Sequence, residues 1–174
     1  FVNFWLEGEH LLIEGGKMAK SLGNIFTLLD LTERGFEPLA LRYLYMSAHY
    51  RSKLNFTWKS LEASQNAINN LQEEVGYWDD GAIGCAGYEA DFKSAINNDL
   101  DMPTALSVMW QLVKSDYPTS AKKQSLLVMD KVLGLGLGKI KKTKLPKRAA
   151  ELIARREMLR SDGKFEEADK ITRD

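Results

Sequence analysis

One short stretch near the start of the sequence has residue types that could bind a phosphate. Residues 17–21 read Lys-Met-Ala-Lys-Ser, so two lysines stand three positions apart beside a serine. Gly15 and Gly16 precede the stretch and Gly23 follows it, which favours a loop whose backbone can approach a ligand. Lysine ammonium groups bind phosphate as point charges, and a serine hydroxyl can donate a further hydrogen bond. The stretch predicts either a phosphate-binding loop or an ordinary solvated turn.

Composition limits the other kinds of chemistry that the chain could carry. The 174 residues are 44% hydrophobic, which is enough to bury a core, and 24 basic side chains balance 24 acidic ones. Any RNA contact must therefore come from a local patch. Cys85 is the single cysteine and there are two histidines, so neither a disulfide framework nor a zinc site made by this chain alone is expected. No apolar run approaches the roughly 20 residues that span a membrane.

The elements that must position the lysines can be read from the pattern of apolar residues. Residues 11–14 are predicted to form a short strand that leads into the lysine stretch. Thr27 and Asp30 have the spacing of a capping box and predict a short helix that Gly35 ends. Pro38 suits the first turn of a second helix, and Thr57 is predicted to cap a long third helix.

The rest of the chain is predicted to be helical, with no strong strand signal after residue 27. Residues 79–87 carry three glycines and predict a surface loop. Asp99 and Asp101 are expected to stabilise the N-terminus of a helix, although a pair of catalytic carboxylates can have the same spacing. A further helix is predicted to end at Gly134, and the tail from Leu145 is also helical in pattern. These helices predict an antiparallel bundle.

Several other residues have both a functional and a structural interpretation. His49 and Arg51 could be catalytic, but a polar pair at a helix end is favoured because no other residue is an evident acid–base partner for the histidine. Trp58 and Trp110 are expected in the core rather than as platforms for nucleic-acid bases. A basic run could follow RNA phosphates or could be a solvated linker; it consists of Lys139, Lys141, Lys142, Lys144, Lys147 and Arg148.

Residues 17–24, Lys-Met-Ala-Lys-Ser-Leu-Gly-Asn, resemble the KMSKS signature loop of class I aminoacyl-tRNA synthetases. Ala19 stands where that family usually has serine, so a contribution from this hydroxyl is missing. Other segments resemble cysteinyl-tRNA synthetases in the order of that family, and the similarity runs through the whole chain. They are residues 1–6, 41–52, 98–105, 132–135 and 152–171.

The resemblance implies a fold and a division of the chain. The expected fold is mainly α, with the end of a Rossmann-type α/β catalytic domain followed by the antiparallel helical bundle. The expected segments are the catalytic-domain end at 1–30, a stem region at 31–56, the bundle at 57–144 and a helical linker at 145–174. The chain begins without methionine and is expected to be a piece of a longer protein, inactive alone, that also has an anticodon-binding domain.

The resemblance also implies a function, which is that of a cysteine–tRNA ligase. Such an enzyme uses ATP with Mg²⁺ to activate cysteine and passes it to tRNA(Cys). Lys17 and Lys20 would be catalytic, with Lys20 in direct contact with ATP. The ATP loop would comprise Lys17, Met18, Ala19, Lys20 and Ser21.

A Zn²⁺ site is expected upstream of this chain, and the protein is expected to be cytoplasmic, not bound to a membrane, and monomeric. One alternative is a mycothiol-pathway-like ligase that moves cysteine onto an amino sugar. The other is a non-catalytic RNA-binding module derived from a synthetase.

Overall fold

The computed structural model describes residues 1–140 and four helical positions further along, Leu152, Arg155, Met158 and Leu159. The chain divides into two compact units, Phe1–Ile140 and Lys141–Asp174. The strands and helices whose bounds are described all lie in the first unit. Apart from those four positions, the predicted helical tail lies outside the described residues, as do all members of the basic run except Lys139.

A small mixed sheet carries the start of the chain. Its strands are β1 (Leu11–Ile13), β2 (Gly16–Lys17) and β3 (Leu54–Phe56), in the order β2-β1-β3. Strands β1 and β2 form an antiparallel hairpin, whereas β1 and β3 run parallel with Leu11 opposite Leu54. Glu14 and Gly15 join the hairpin with φ of 49° and 79°. Two positive φ values in a two-residue loop are typical of the type I′ turn, which matches the twist of the flanking strands.

The sheet corrects two predictions. The prediction of no strand after residue 27 is wrong, because β3 forms at Leu54–Phe56 by pairing with β1. The lysine loop begins later than expected, since Gly16 and Lys17 belong to β2 rather than to a glycine-opened loop. The predicted strand before the loop is confirmed at Leu11–Ile13.

Three helices surround the sheet, and their predicted starts are confirmed. Thr27 and Asp30 form a reciprocal capping box, in which the Thr27 N–H donates to the Asp30 carboxylate at 2.6 Å. Pro38 is the first residue of its helix, and Thr57 forms a second capping box with Ser60. The helices are α1 (Leu28–Glu33), α2 (Pro38–Met46) and α3 (Trp58–Gly76).

Three further helices complete the first unit, and the predicted mainly α fold is confirmed. They are α4 (Ala86–Asn97), α5 (Met102–Lys114) and α6 (Thr119–Leu133). Helix α6 ends at Gly134 as predicted, with φ of 64°.

The surface loop predicted at residues 79–87 is wrong in its second half. Cys85 is buried there, its N–H donates to Ser125 Oγ at 2.6 Å, and α4 begins at the next residue.

Two hydrophobic cores lie beneath these elements. The smaller one sits against the sheet and contains Ile13, Leu31, Ala40, Leu44, Phe56 and Leu61. The larger one lies among α3 to α6 and includes Ile68, Leu71, Met109, Leu112, Leu126, Met129 and Leu133. Helix α3 contributes to both cores. Its first turns pack in the smaller core, and the rest of the helix packs in the larger one. One continuous helix therefore connects the two cores.

Two tryptophans predicted to be in the core do pack against apolar or aromatic neighbours. Trp58 makes ring contacts with Phe26, Phe36 and Phe56, and the guanidinium of Arg34 lies 3.9 Å from its ring centre. Trp110 packs against the larger core, and its indole N–H donates to Tyr43 Oη at 2.8 Å. Their contacts are those of packed side chains.

Candidate functional site

The two lysines of the candidate loop lie on different local structures and are both exposed. Lys17 is in β2, directly opposite Leu12, and Lys20 opens a short 3-10 helix at Lys20–Leu22. Neither lysine forms an ion pair with another described residue. Ser21 is exposed beside them. The loop thus presents two cationic groups and a hydroxyl to the solvent.

One side chain, Asn24, holds the backbone between the lysines. Its Oδ1 accepts a hydrogen bond from the Ala19 N–H at 2.9 Å, and its Nδ2 donates to the Lys17 carbonyl at 3.0 Å. The 3-10 turn then closes with Gly23 N–H donating to the Lys20 carbonyl at 3.1 Å. Sequence reasoning used Asn24 only as part of the motif. The signal for its role was present in the sequence, because asparagine side chains often hydrogen-bond to nearby backbone in turns.

The apolar member of the loop attaches it to the smaller core. Met18 packs against that core, beside an apolar cavity of about 160 Å³ that Leu11, Phe26 and Tyr45 also line. Met18 is partly buried there, whereas Lys17 and Lys20 are exposed. In the sequence Lys-Met-Ala-Lys, the two lysines are thus exposed to solvent, and Met18 between them attaches the loop to the smaller core.

Strand β3 fixes the turn from which the loop extends. The Gly15 N–H donates to Asn55 Oδ1 at 2.8 Å, and the Glu14 N–H donates to the Phe56 carbonyl at 2.9 Å. The Glu14 carboxylate accepts in turn from the Trp58 N–H at 3.3 Å, at the start of α3. The hairpin that carries Lys17 is thereby tied to both β3 and α3.

A second polar cluster joins the segment after α2 to the turn between α4 and α5. Arg51 pairs with the Asp99 carboxylate through Nε at 2.8 Å and Nη2 at 3.2 Å. Tyr50 Oη donates to the same carboxylate at 2.6 Å, and His49 Nε2 lies 3.0 Å from the Asp99 carbonyl oxygen. The hydrogen bonds from Tyr50 and Arg51 lower the pKa of Asp99. The hydrogen bond to Asp99 raises the pKa of Tyr50.

The cluster corrects two predictions about acidic and basic residues. Asp99 does not cap a helix, because its carboxylate is taken by Arg51 and Tyr50. The expectation that His49 has no acidic partner is also wrong, since its Nε2 lies 3.8 Å from Asp99 Oδ2. Asp101 does cap α5, accepting from the Thr104 N–H at 3.1 Å as predicted.

The described residues contain neither a metal site nor a membrane span. In residues 1–140 and the four later positions, no group of three or more His, Cys, Asp or Glu side chains could hold a metal ion. The zinc ion that the resemblance implies is expected upstream of this chain and stays a prediction. Within the same part of the chain, no helix has the length and apolar character needed to cross a bilayer.

Comparison with known proteins first defines the class. Residues 1–66 match the family model described as the catalytic domain of class I (C) tRNA synthetases. The matched range contains the three strands, the lysine loop and the contacts of Asn24. The lysine loop therefore lies in the part of the chain that is similar to the catalytic domain of class I tRNA synthetases.

Similar proteins then define the family. The chain is 40% identical over 172 residues to cysteine–tRNA ligase 1 of Burkholderia lata, covering 97% of the chain and 37% of the relative. It is 32% identical to the cysteine–tRNA ligase of Chlamydia abortus, covering 97% of the chain and 40% of the relative. For the enzyme of Leptospira interrogans, identity is 34%, with 98% of the chain and 41% of the relative covered. The chain belongs to the cysteinyl-tRNA synthetase family and spans about two fifths of the length of these relatives.

Proposed function

We propose that the protein carrying this chain is a cysteine–tRNA ligase. It would join cysteine to the α-phosphate of ATP, releasing pyrophosphate, and then transfer the cysteinyl group to tRNA(Cys). The observation that carries the proposal is the exposed pair Lys17 and Lys20 on a loop anchored by Asn24 and Met18. Similarity to cysteine–tRNA ligases across nearly the whole chain supports the choice of amino acid.

The proposed role of the lysines follows from the charge that develops during activation. Attack on the α-phosphate builds negative charge on the departing pyrophosphate, and positive groups fixed beforehand stabilise that charge most effectively. Lys20 would contact the phosphates of the ATP–Mg²⁺ complex directly, with Lys17 beside it. Met18, Ala19 and Ser21 would complete the ATP loop. Since Ala19 has no hydroxyl, hydrogen bonding from a side chain would come from Ser21 alone among these three residues.

The remaining parts of the proposal concern the division of the chain and its setting. Residues 1–30 would complete the catalytic domain, 31–56 would form the stem, 57–144 the bundle and 145–174 a linker. A zinc ion that selects cysteine would be bound elsewhere in the protein. We place the protein in the cytoplasm as a monomer. Lys139 and the basic residues that follow it would be available to RNA phosphates, with an affinity that falls as salt rises.

Cysteine-dependent ATP–pyrophosphate exchange by the full-length protein tests the proposal. Replacing Lys20 by alanine should lower the exchange rate by about a hundredfold, because one preorganised charge partner of the transition state is lost. Lys17→Ala should also lower it. Lys59→Ala is the matched control, since Lys59 is an exposed lysine on α3 outside the loop. If the unmodified protein and the three variants all had the same exchange rate, the role assigned to Lys17 and Lys20 would be refuted.

Transfer to an acceptor separates the remaining alternatives. A cysteine–tRNA ligase should charge tRNA(Cys) after exchange. Exchange with cysteine but transfer only to an amino sugar would indicate the mycothiol-pathway-like ligase. A folded full-length protein that catalyses no exchange would indicate the non-catalytic RNA-binding module.

A further inference from the structure

The turn between α4 and α5 has an unusual backbone at the residue that the second polar cluster contacts. Asp99 and Leu100 have φ of 54° and 55°, a left-handed conformation that leucine rarely adopts and that aspartate adopts more readily. Such a conformation persists only when surrounding contacts compensate for its cost. The contacts of Asp99 must therefore stabilise the backbone conformation of this turn.

Asp99 holds three consecutive side chains of a distant segment. Its carboxylate accepts from both Arg51 and Tyr50, and its carbonyl oxygen lies at hydrogen-bond distance from the His49 ring. The paired side chains are well exposed, at 65% for Arg51 and 49% for Asp99. Exposed ion pairs contribute little to stability. The hydrogen bond from Tyr50 and the contact with His49 add to the pair with Arg51, so three contacts together hold the turn against this segment.

The segment that Asp99 holds leads directly to the hairpin of the lysine loop. The Tyr50 carbonyl accepts from the Glu9 N–H at 2.8 Å, just before β1. Four residues after Tyr50, β3 begins and pairs with β1. The end of β3 then binds the hairpin turn through Asn55 and Phe56. Hydrogen bonds, strand pairing and the three residues between Tyr50 and β3 therefore link Asp99 to the hairpin that contains Lys17.

We infer that Asp99 is a positioning residue that fixes β3 and, through it, the lysine loop. It acts through Tyr50 and Arg51 and does not itself touch a substrate. Its effect on catalysis rests on the proposed function, because the lysines act on ATP only in that proposal. Its effect on the sheet does not depend on that function. The two can be tested separately.

Amide hydrogen exchange in the full-length protein tests the effect on the sheet. Asp99→Ala should raise the exchange rates of the Glu9, Glu14 and Gly15 amides about tenfold, since their acceptors lose their support. Tyr50→Phe, which removes one hydrogen bond and keeps the ring, should give a smaller increase. Asp101→Asn is the matched control, because it weakens the cap of α5 in the same turn but leaves the contacts of Asp99 intact, so these three amides should keep their rates. Unchanged rates in Asp99→Ala would overturn the inference.

A double-mutant cycle on ATP–pyrophosphate exchange tests the effect on catalysis. Asp99→Ala alone should lower kcat about tenfold with the protein still folded. In a Lys17→Ala background the same change should have a clearly smaller further effect, because the lysine on the strand that Asp99 positions is already missing. Equal losses in both backgrounds would indicate a general structural defect and overturn the positioning role. If the unmodified protein shows no exchange activity, the proposed function fails, while the amide measurements still decide the inference about the sheet.

Discussion

At the scale of single residues, the loop depends on side chains that carry no charge. Lys17 and Lys20 supply the cationic groups, but Asn24 and Met18 determine where those groups can be. Asn24 satisfies a backbone donor and a backbone acceptor at once, at 2.9 Å and 3.0 Å. Met18 attaches the same short stretch to the smaller core. The loop is thus organised before any ligand arrives.

Replacing Asn24 by alanine should lower the rate of ATP–pyrophosphate exchange about tenfold, because two backbone groups lose a partner worth about 1 kcal/mol each. Steady-state exchange measurements on the full-length protein would show the loss in kcat. Asn24→Asp keeps the acceptor for Ala19 and loses the donor to Lys17, so its activity should be intermediate. Wild-type activity in Asn24→Ala, at unchanged melting temperature, would contradict this account of the loop.

Sequence reasoning located the lysines but did not find the partners of the second cluster. Lys17 and Lys20 were recognisable because their spacing within a short motif is visible in the sequence. Arg51 and Asp99 are 48 positions apart, and each has an ordinary local explanation as a solvated charge or a helix start. Only the packing of the segment after α2 against the turn before α5 brings them together. Pairing of this kind is determined by tertiary structure.

At the scale of elements, the local signals for helix ends predicted the structure well, whereas those for strands predicted β1 but neither β2 nor β3. Thr27, Pro38, Thr57 and Gly134 all mark helix ends where expected. A cap needs only a few neighbouring residues, so its signal is complete in the sequence. Strand β3 has three residues and exists because β1 lies beside it. Such a strand carries too few positions to show a periodic pattern.

The end of α6 gives a stability prediction. Gly134 has φ of 64°, and a Cβ there would lie 3.0 Å from Arg42 Nη1. Gly134→Ala should lower the free energy of unfolding by about 1–2 kcal/mol, because alanine is strained in this conformation. Urea unfolding followed by circular dichroism would measure the change.

Gly87→Ala provides the control for that substitution. Gly87 lies in the first turn of α4 and is exposed, and a Cβ added there would meet open space within 4 Å. Alanine is the better helix former there, so stability should stay the same or rise by up to about 1 kcal/mol. Equal destabilisation by both changes would show that the backbone conformation at Gly134 is not the cause.

At the scale of the whole molecule, stability in acid depends on aspartates distributed over separate elements. Hydrogen bonds from the Thr27 backbone and side chain lower the pKa of Asp30, and those from Thr104 lower the pKa of Asp101. Hydrogen bonds from Tyr50 and Arg51 do the same for Asp99. A folded-state pKa below the unfolded value contributes stability that is present at higher pH and lost as the pH falls through the folded value.

The free energy of unfolding should therefore fall as the pH drops below about 4, the ordinary range of aspartate. Urea midpoints measured between about pH 7 and pH 3 would show the decline. Asp101→Asn should be less stable than the unmodified protein at neutral pH, and the difference should shrink in acid. Glu62→Gln is the control, because Glu62 is an exposed carboxylate on α3 without an ion pair among the described residues. A constant difference for Asp101→Asn at every pH would contradict the assignment.

The parallel pairing of β1 with β3 has a consequence for the order in which the chain folds. Gly15 and Asn55 meet across 40 positions of sequence, whereas α4, α5 and α6 contact one another in succession along the chain. Closing a long loop costs entropy before the contact is gained, so local contacts form sooner. We expect the helical part to fold first and the lysine hairpin to form late. A segment that folds late and has few residues is also among the first to open, so the amides of this hairpin should exchange faster than those of the helices.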